Sequence, residues 1–493
     1  MKQDHIDRLR AVSLQLFHHV IDGGRVPASD GGTMSVISPI DGAVLTTMAR
    51  GTLEDADLAI SAARRAFDSG VWSELSPAMR KKILFNWADL IEANALEIAV
   101  LGVRENGTEI GMALKAEPLS AAATIRYYAE AIDKLFGEVA PTDPAFLGLV
   151  HREPAGVVGA IVPWNFPLMI GAWKFGPALA AGCTMVLKPA ETASLTLLRV
   201  AELALEAGMP AGVFNVVTGE GAVVGARIAE SMDVDVLVFT GSGPTGRRLL
   251  EAAARSNLKR VYLELGGKSP NIVFADAPDL DEAAKVSAHG IFRNSGQVCI
   301  AGSRLLVERR IHEEFVDKLA AHAAAIKVGN PLDIATQSGA VNSERQLRQN
   351  LQFVEEARSK GRRVIGGERV LEESGGFYMA PAIIADAMKD DRVFQEEVFG
   401  PVLAVTPFDT EEEAVALAND VNYGLAAAVW TSNLSRAHRM VRKIRAGLVH
   451  VNTYGGSDLT VPLGGVKQSG NGHDKSLHAF DKFLDLKTAW IKL

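Results

Sequence analysis

The sequence predicts an α/β protein built around parallel sheet, and three observations predict it. From about residue 155 onward, apolar runs of strand length alternate with segments of helical period, the pattern of βαβ units. Each apolar run ends in a turn rich in Gly, Pro, Ser or Thr, where open α/β sheets place their ligands. At 493 residues the chain is too long for one core and calls for two or three domains.

Taken in order, the segment before residue 155 has helical spacing at Leu53–Asp68 and Arg80–Glu105. Strands follow at Val157–Val162, Met185–Leu187, Val213–Val217 and Val236–Phe239. Between them Leu195–Ala207 and Gly225–Met232 read as helices, the first closed by Gly208 and Pro210. Arg247–Ala254 is a further helix. After residue 270 a second βα series begins, with Arg304–Val307 as a strand and Ile311–Ile326 as a helix. The run Leu484–Ile491 reads as a terminal strand pairing with another element or another subunit.

Composition narrows the function classes. The chain is 48% hydrophobic and 22% charged, as in ordinary globular proteins. A net charge of −8 with no long basic run argues against nucleic acid and against an anionic membrane surface. The start, Met1 to Arg8, is too charged for a signal peptide. Pro154 to Gly182 carries one charge, Lys174, but Pro163, Pro167, Pro177 and Asn165 make it a buried strand and helix rather than a bilayer span. Two cysteines offer no disulfide framework, so a reducing cytoplasm is expected. Neither has a metal-ligand companion at workable spacing, and no catalytic metal is expected.

Several short segments carry chemistry. Cys299 lies in the Gly-bounded run Gly296-Gln297-Val298-Cys299, and Glu264 ends an apolar strand before Leu265-Gly266-Gly267-Lys268. A thiol and a carboxylate are a nucleophile and base for covalent catalysis on a carbonyl. Gly241, Gly243 and Gly246 follow a strand and open a helix, as in a dinucleotide fingerprint or an ordinary strand–helix turn. That fingerprint expects an acid about twenty positions later. Glu264 is therefore a ribose ligand, a general base or a strand-end ion-pair partner; spacing does not decide. Lys188 and Glu191 follow another strand, placed either to bind ribose hydroxyls, favouring NAD over NADP, or to begin a helix. Asn165, between Trp164 and Phe166, reads as a turn residue or as a donor to an oxyanion. Cys183, in apolar surroundings, reads as a buried and inert thiol.

Together these segments, with Glu396-Glu397-Val398-Phe399-Gly400-Pro401, resemble the aldehyde dehydrogenase superfamily over nearly the whole chain. The resemblance implies a Rossmann-like cofactor domain (1–139 and 157–263), an α/β catalytic domain (264–475) and a small β oligomerisation element (140–156 and 476–493). The strands of that last element would be Leu147–Glu153 and Leu484–Ile491, in a homodimer or homotetramer. It also implies Cys299 as nucleophile, Glu264 as the base that activates water, and Asn165 with the Cys299 N–H as oxyanion hole. Lys188 belongs to the catalytic set as well. Trp164, Lys188, Glu191, Gly221, Gly225, Phe239, Gly241, Ser242, Leu265, Glu397 and Phe399 would hold NAD, with NADP the weaker alternative. A Glu at 264 favours hydrolysis over transfer to coenzyme A. A non-redox thiol acyltransferase or esterase would have no use for Lys188, Glu191 and Glu397.

Within the superfamily, Arg126–Lys134 and Gly464–Leu493 look like bacterial enzymes that oxidise γ-glutamyl-γ-aminobutyraldehyde or 4-guanidinobutyraldehyde in polyamine breakdown. The expected aldehyde tunnel involves Phe166, Trp173, Val298, Ile300 and Tyr454, with Glu117 and Asp458 as acids at its mouth attracting a cationic tail. Broad aliphatic or aromatic aldehydes are the other possibility. Asn106–Gly111 and Asn294-Ser295 depart from the superfamily pattern on the expected substrate side.

Overall fold

The computed structural model describes residues 1–493. Two seven-stranded sheets carry the chain. The first runs Arg260–Leu265, Val236–Gly241, Val157–Ile161, Thr184–Lys188 and Phe214–Val216, all parallel, and then adds His19–Ile21 and Gly24–Val26 antiparallel. The second runs Arg363–Gly366, Ala382–Ala385, Val402–Phe408, Arg304–Glu308, Pro270–Val273, Ala426–Trp430 and Leu448–Val451, parallel except at its first edge. Their central strands are buried on both faces, which is why they read as unbroken apolar runs.

Leu53–Asp68 forms the expected helix, its start fixed by a capping box between Thr52 and Asp55. Three expectations need correction. The region Arg80–Glu105 is two helices, Pro77–Ala93 and Ala95–Asn106, because Asn94 leaves the helical path and its amide donates back to the Leu90 carbonyl. Residues 19–49, within the segment read as helical, hold four strands, two of three residues on the edge of the first sheet and a separate hairpin of Thr33–Ile37 with Val44–Ala49. The helix expected at Gly225–Met232 is the short Ala226–Glu230, entered through a π-helical turn at Gly221–Gly225.

A third sheet pairs Leu484–Lys492 with Phe146–Pro154 in antiparallel register, with Trp490 stacked on Phe146 at 5.2 Å between ring centroids. It has a third strand, Glu138–Ala140, beyond the two expected from sequence. Leu484–Lys492 is an open edge, and Leu486, Trp490 and Ile491 on it are exposed.

The largest apolar cluster lies under the first sheet, around Trp87, Phe175 and Phe214. Trp87 is fully buried, and its indole N–H donates to the Val200 carbonyl at 2.9 Å. Trp87→Ala should lower unfolding stability by about 3–5 kcal/mol, read from a denaturant titration. A loss below about 1 kcal/mol would mean this cluster does not hold the sheet.

Candidate active site

The strand Arg260–Leu265 delivers Glu264 to the C-terminal edge of the first sheet, where it is 2% exposed. Neither of its carboxylate oxygens has a hydrogen-bond partner. Burial pushes this carboxyl well above its ordinary range, and the nearby Asp474 adds to the shift. Two ammonium groups oppose it. Lys174 and Lys482 both bind Asp474, Lys482 at 2.5 Å and Lys174 on the other oxygen, and all three side chains are buried. Burial works against the Asp474 charge, but the two lysines hold its carboxyl below the usual range. Two cations against one carboxylate leave one positive charge over, and Glu264 is the acid facing it.

The segment before Asp474 fixes the strand itself. Asn471 accepts the Leu263 N–H at 2.8 Å, and the Asn471 and Gly472 N–H groups donate to the Leu263 carbonyl. Gly470 pairs with Glu264 so closely that a Cβ there would meet the Leu263 carbonyl oxygen at 2.0 Å. These residues stand in the C-terminal run that suggested a substrate class. Their work here is to splint the strand carrying Glu264.

Cys299 follows three consecutive left-handed residues, Asn294, Ser295 and Gly296, at φ of 50°, 52° and 73°. Side chains on the first two make this a costly backbone, held by its surroundings. A Cβ at Gly296 would collide with the Gly400 carbonyl at 2.0 Å. The Asn294 amide N–H donates to Glu109 at 3.1 Å, and the Thr108 hydroxyl donates to the Asn294 side chain at 2.8 Å. The two stretches that depart from the superfamily pattern therefore bind each other. Asn165 donates from Nδ2 to the Gln297 carbonyl at 2.9 Å, two residues before the thiol. Burial, reinforced by the facing Glu264 and Glu397, pushes the Cys299 thiol up to about 12.

Glu397 lies against Gly266 and Gly267. It accepts the Gly267 N–H at 2.9 Å, and a Cβ on Gly266 would sit 1.9 Å from its carboxylate. Gly267 in turn backs onto the Cys299 carbonyl. The bare backbone of this Gly pair is what lets Glu397 and Cys299 share one site. Trp164 and Phe399 meet edge to face at 5.2 Å.

On the outer side of the first sheet, a groove of about 720 Å³ runs between the helices around Ala226–Glu230 and Gly243–Arg255, walled by Ile161, Glu191, Gly221, Gly225 and Leu249. The Lys188 ammonium sits 3.2 Å from Glu191, whose carboxylate also accepts the Gly221 N–H at 2.6 Å. Burial opposes the charge on Glu191, but these partners hold its carboxyl below the usual range. Ser242 stands at the start of the helix Gly243–Arg255, bonded to Thr245, and the Phe239 ring covers Gly241. Leu265 packs where a Cβ on Gly246 would fall. A dinucleotide fits this cradle: paired charges for ribose hydroxyls, a helix N-terminus for phosphate and a carboxylate near the thiol.

Toward the substrate side, Phe166, Trp173, Val298 and Ile300 form one apolar wall with Ile170 around Cys299. Two expected readers stand elsewhere. Glu117 is 4% exposed on a π-helical turn, and one of its oxygens accepts the N–H groups of Leu168 and Met169 at 2.8 and 2.9 Å. It caps the helix Pro167–Ala181 from within and is no acid at a solvent mouth. Burial lifts its carboxyl to about 8. Tyr454 is buried behind the nucleophile loop, its hydroxyl donating to the Ile300 carbonyl at 2.7 Å, so it props the loop. Asp458 is exposed, bonded to Thr460. Two cations were missed. Lys475 donates twice to Ser457 and lies 5.9 Å from the Trp173 ring centre, and Arg293 sits beside Cys299 and Glu109. Single cationic residues carry no periodic signal that would have marked them.

A family model for the aldehyde dehydrogenase family matches residues 26–489. The chain belongs to the aldehyde dehydrogenase family. It is 50% identical over 487 residues to the NADP/NAD-dependent aldehyde dehydrogenase PuuC of Escherichia coli K12, covering 98% of this chain and 97% of that protein. The crystal structure of an indole-3-acetaldehyde dehydrogenase complexed with NAD⁺ superposes with a TM-score of 0.98 at 50% identity, covering both chains fully. The γ-glutamyl-γ-aminobutyraldehyde dehydrogenase of Burkholderia cenocepacia J2315 gives 0.97 at 50% identity, again covering both chains fully. The protein is an NAD-dependent aldehyde dehydrogenase.

The charge cluster makes a testable demand on this dehydrogenase. Lys482→Met removes the surplus cation, so Glu264 should keep its proton to higher pH. The acidic limb of the pH–rate profile should then move up by about one unit or more. An unshifted limb would mean the cluster does not set the charge on Glu264.

Proposed function

We propose that this enzyme oxidises an aldehyde with an ω-amino, guanidino or γ-glutamylamino tail to its acid, in the breakdown of polyamines. The observation that carries the chemistry is the convergence of Cys299, Asn165 and the unpartnered Glu264. A thiol held at about 12 stays protonated until a facing base takes its proton, and Glu264 is that base. The thiolate attacks the aldehyde carbon, and the new oxyanion is received by Asn165 Nδ2 and the Cys299 N–H. Bound NAD supplies the hydride acceptor that turns this adduct into a thioester. Lys188 and Glu191 hold the adenosine ribose, Ser242 the pyrophosphate, and Glu397 with Phe399 and Trp164 the nicotinamide end. Glu264 passes the thiol's proton to solvent and then takes one from water. The hydroxyl adds to the thioester carbon, and the C–S bond breaks to release the acid, the Cys299 thiolate taking its proton back from Glu264. Burial raises the Glu264 carboxyl well above its ordinary range, which strengthens it as a base for each proton in turn.

The tail is read at the loop around Asp458, the one expected acid that is exposed there. The likeness to the Burkholderia enzyme supports the same tail. The apolar wall of Phe166 and Trp173, with the likeness to an indole-3-acetaldehyde dehydrogenase, supports aromatic or long aliphatic aldehydes as a second reading. The third sheet, with its open edge and exposed Leu486, Trp490 and Ile491, supports assembly as a homodimer or homotetramer. A cytoplasmic enzyme fits the absence of a disulfide, both cysteines being free.

NADH formation across hexanal, benzaldehyde, indole-3-acetaldehyde, 4-guanidinobutyraldehyde and γ-glutamyl-γ-aminobutyraldehyde tests the substrate class. The amino and guanidino members should lead in kcat/KM by about tenfold or more, about 1.4 kcal/mol. Equal or better rates with hexanal or benzaldehyde would favour the second reading. Cys299→Ala should abolish turnover and leave NAD binding intact. Glu264→Gln should release at most one NADH per site and then stall at the thioester, and steady turnover by it would assign the base elsewhere.

A further inference from the structure

Arg293 is a charged side chain near the nucleophile that forms no ion pair within the chain. Its charge is felt by Cys299, Glu109 and Tyr454, and a Cβ built on Gly455 would lie 3.9 Å from one of its terminal nitrogens. It therefore spans from the thiol to the loop that carries Asp458. Its Nε is shut off from solvent without an acceptor. No carboxylate stands within ion-pair distance: Glu109, the nearest acid, spends one oxygen on the Asn294 N–H and has its other oxygen unpartnered. Tyr454 gives its hydroxyl to the Ile300 carbonyl instead. The residue keeps part of its surface in contact with solvent.

The contrast with the other cations of the site is informative. Lys188 has Glu191, Lys174 and Lys482 share Asp474, and Lys475 is committed to Ser457, while Lys268, also without a hydrogen-bond partner, is fully buried with Glu397 and Glu396 as its opposing charges. A guanidinium drawn partly out of water with no ion-pair partner is costly, and it presents a fixed fork that matches a carboxylate with two parallel bonds. We propose that Arg293 is a specificity-determining residue that binds a carboxylate on the aldehyde, so that the enzyme favours substrates whose tail carries an acid group. Among the tails named above this selects the γ-glutamylamino one, whose α-carboxylate meets Arg293 while its ammonium faces Asp458. A guanidino tail would bring a second cation to an unpaired one. This rests on the reading of the protein as an amino-aldehyde oxidiser and narrows it.

The test uses aldehyde pairs that differ only in the acid group: γ-glutamyl-γ-aminobutyraldehyde against its α-carboxamide, and 4-oxobutanoate against butanal. The wild-type enzyme should favour the acid of at least one pair. In Arg293→Met and Arg293→Gln, kcat/KM for that acid should fall about ten- to a hundredfold more than for its neutral partner, the loss of one charge-assisted pair. The change should appear mainly in KM, and Arg293→Lys should restore part of the preference. Melting temperature and NAD binding report whether each variant is folded. No preference in the wild type, or an equal fall on both members of each pair, would overturn the proposal, and an equal fall would assign Arg293 to the thiol. The broader reading fails separately, when hexanal outperforms every amino aldehyde in the wild type.

Discussion

Asp474 is the buried charge on which the support of the catalytic base depends. It anchors Lys174 from the helix Pro167–Ala181 and Lys482 from the turn before the last strand, and it follows directly on the segment that splints Leu263 and Glu264. Without it two buried ammonium groups would stand unpaired, each at a cost of several kcal/mol. One carboxylate thus ties the first sheet, the helix that carries the aldehyde wall and the C-terminal strand into a single support for the base. Its neighbours Lys475 and Ser476 adopt left-handed backbone, which turns consecutive side chains toward different partners. Lys475 holds Ser457, and the Ser476 carbonyl receives the Tyr128 hydroxyl.

Buried glutamates repeat the same principle at helix starts. Glu105 accepts the N–H groups of Ser194, Leu195 and Thr196, as Glu117 does for Leu168 and Met169. In each case an acid from the helical N-terminal region satisfies donors that the helix itself leaves open. The helix Leu195–Glu206, packed in the cluster around Trp87, and the helix Pro167–Ala181, which carries Trp173 of the aldehyde wall, are thereby fixed by residues far away in sequence. This explains why an acid such as Glu117 can look like a substrate reader in the sequence and be structural in the fold.

Much of the fold was legible because parallel strands buried on both faces are written as apolar runs: Val157–Ile161, Thr184–Lys188 and Val236–Gly241 fall within a residue or two of expectation. The strands His19–Ile21, Gly24–Val26 and Glu138–Ala140 were not, since a strand of three residues has no period to read, and Thr33–Ile37 and Val44–Ala49 form only a two-stranded hairpin outside the main sheets. At the site, Cys299, Glu264 and Glu397 could be named because each stands in a Gly-rich motif whose spacing is itself a signal. Glu117, Tyr454, Arg293 and Asp474 carry no such frame. Their roles depend on which distant backbone they meet, and that information exists only once the sheets are assembled.

The contact between Thr108, Glu109 and Asn294 has a consequence for how this enzyme can change. The two segments that depart from the superfamily pattern are separated by about 185 residues yet meet through direct hydrogen bonds beneath the nucleophile loop. A homologous graft of either segment alone would leave a buried Asn or Glu without its mate and loosen the loop that aims Cys299. The two segments therefore act as one unit beneath the nucleophile, exchangeable together and resistant to exchange by halves.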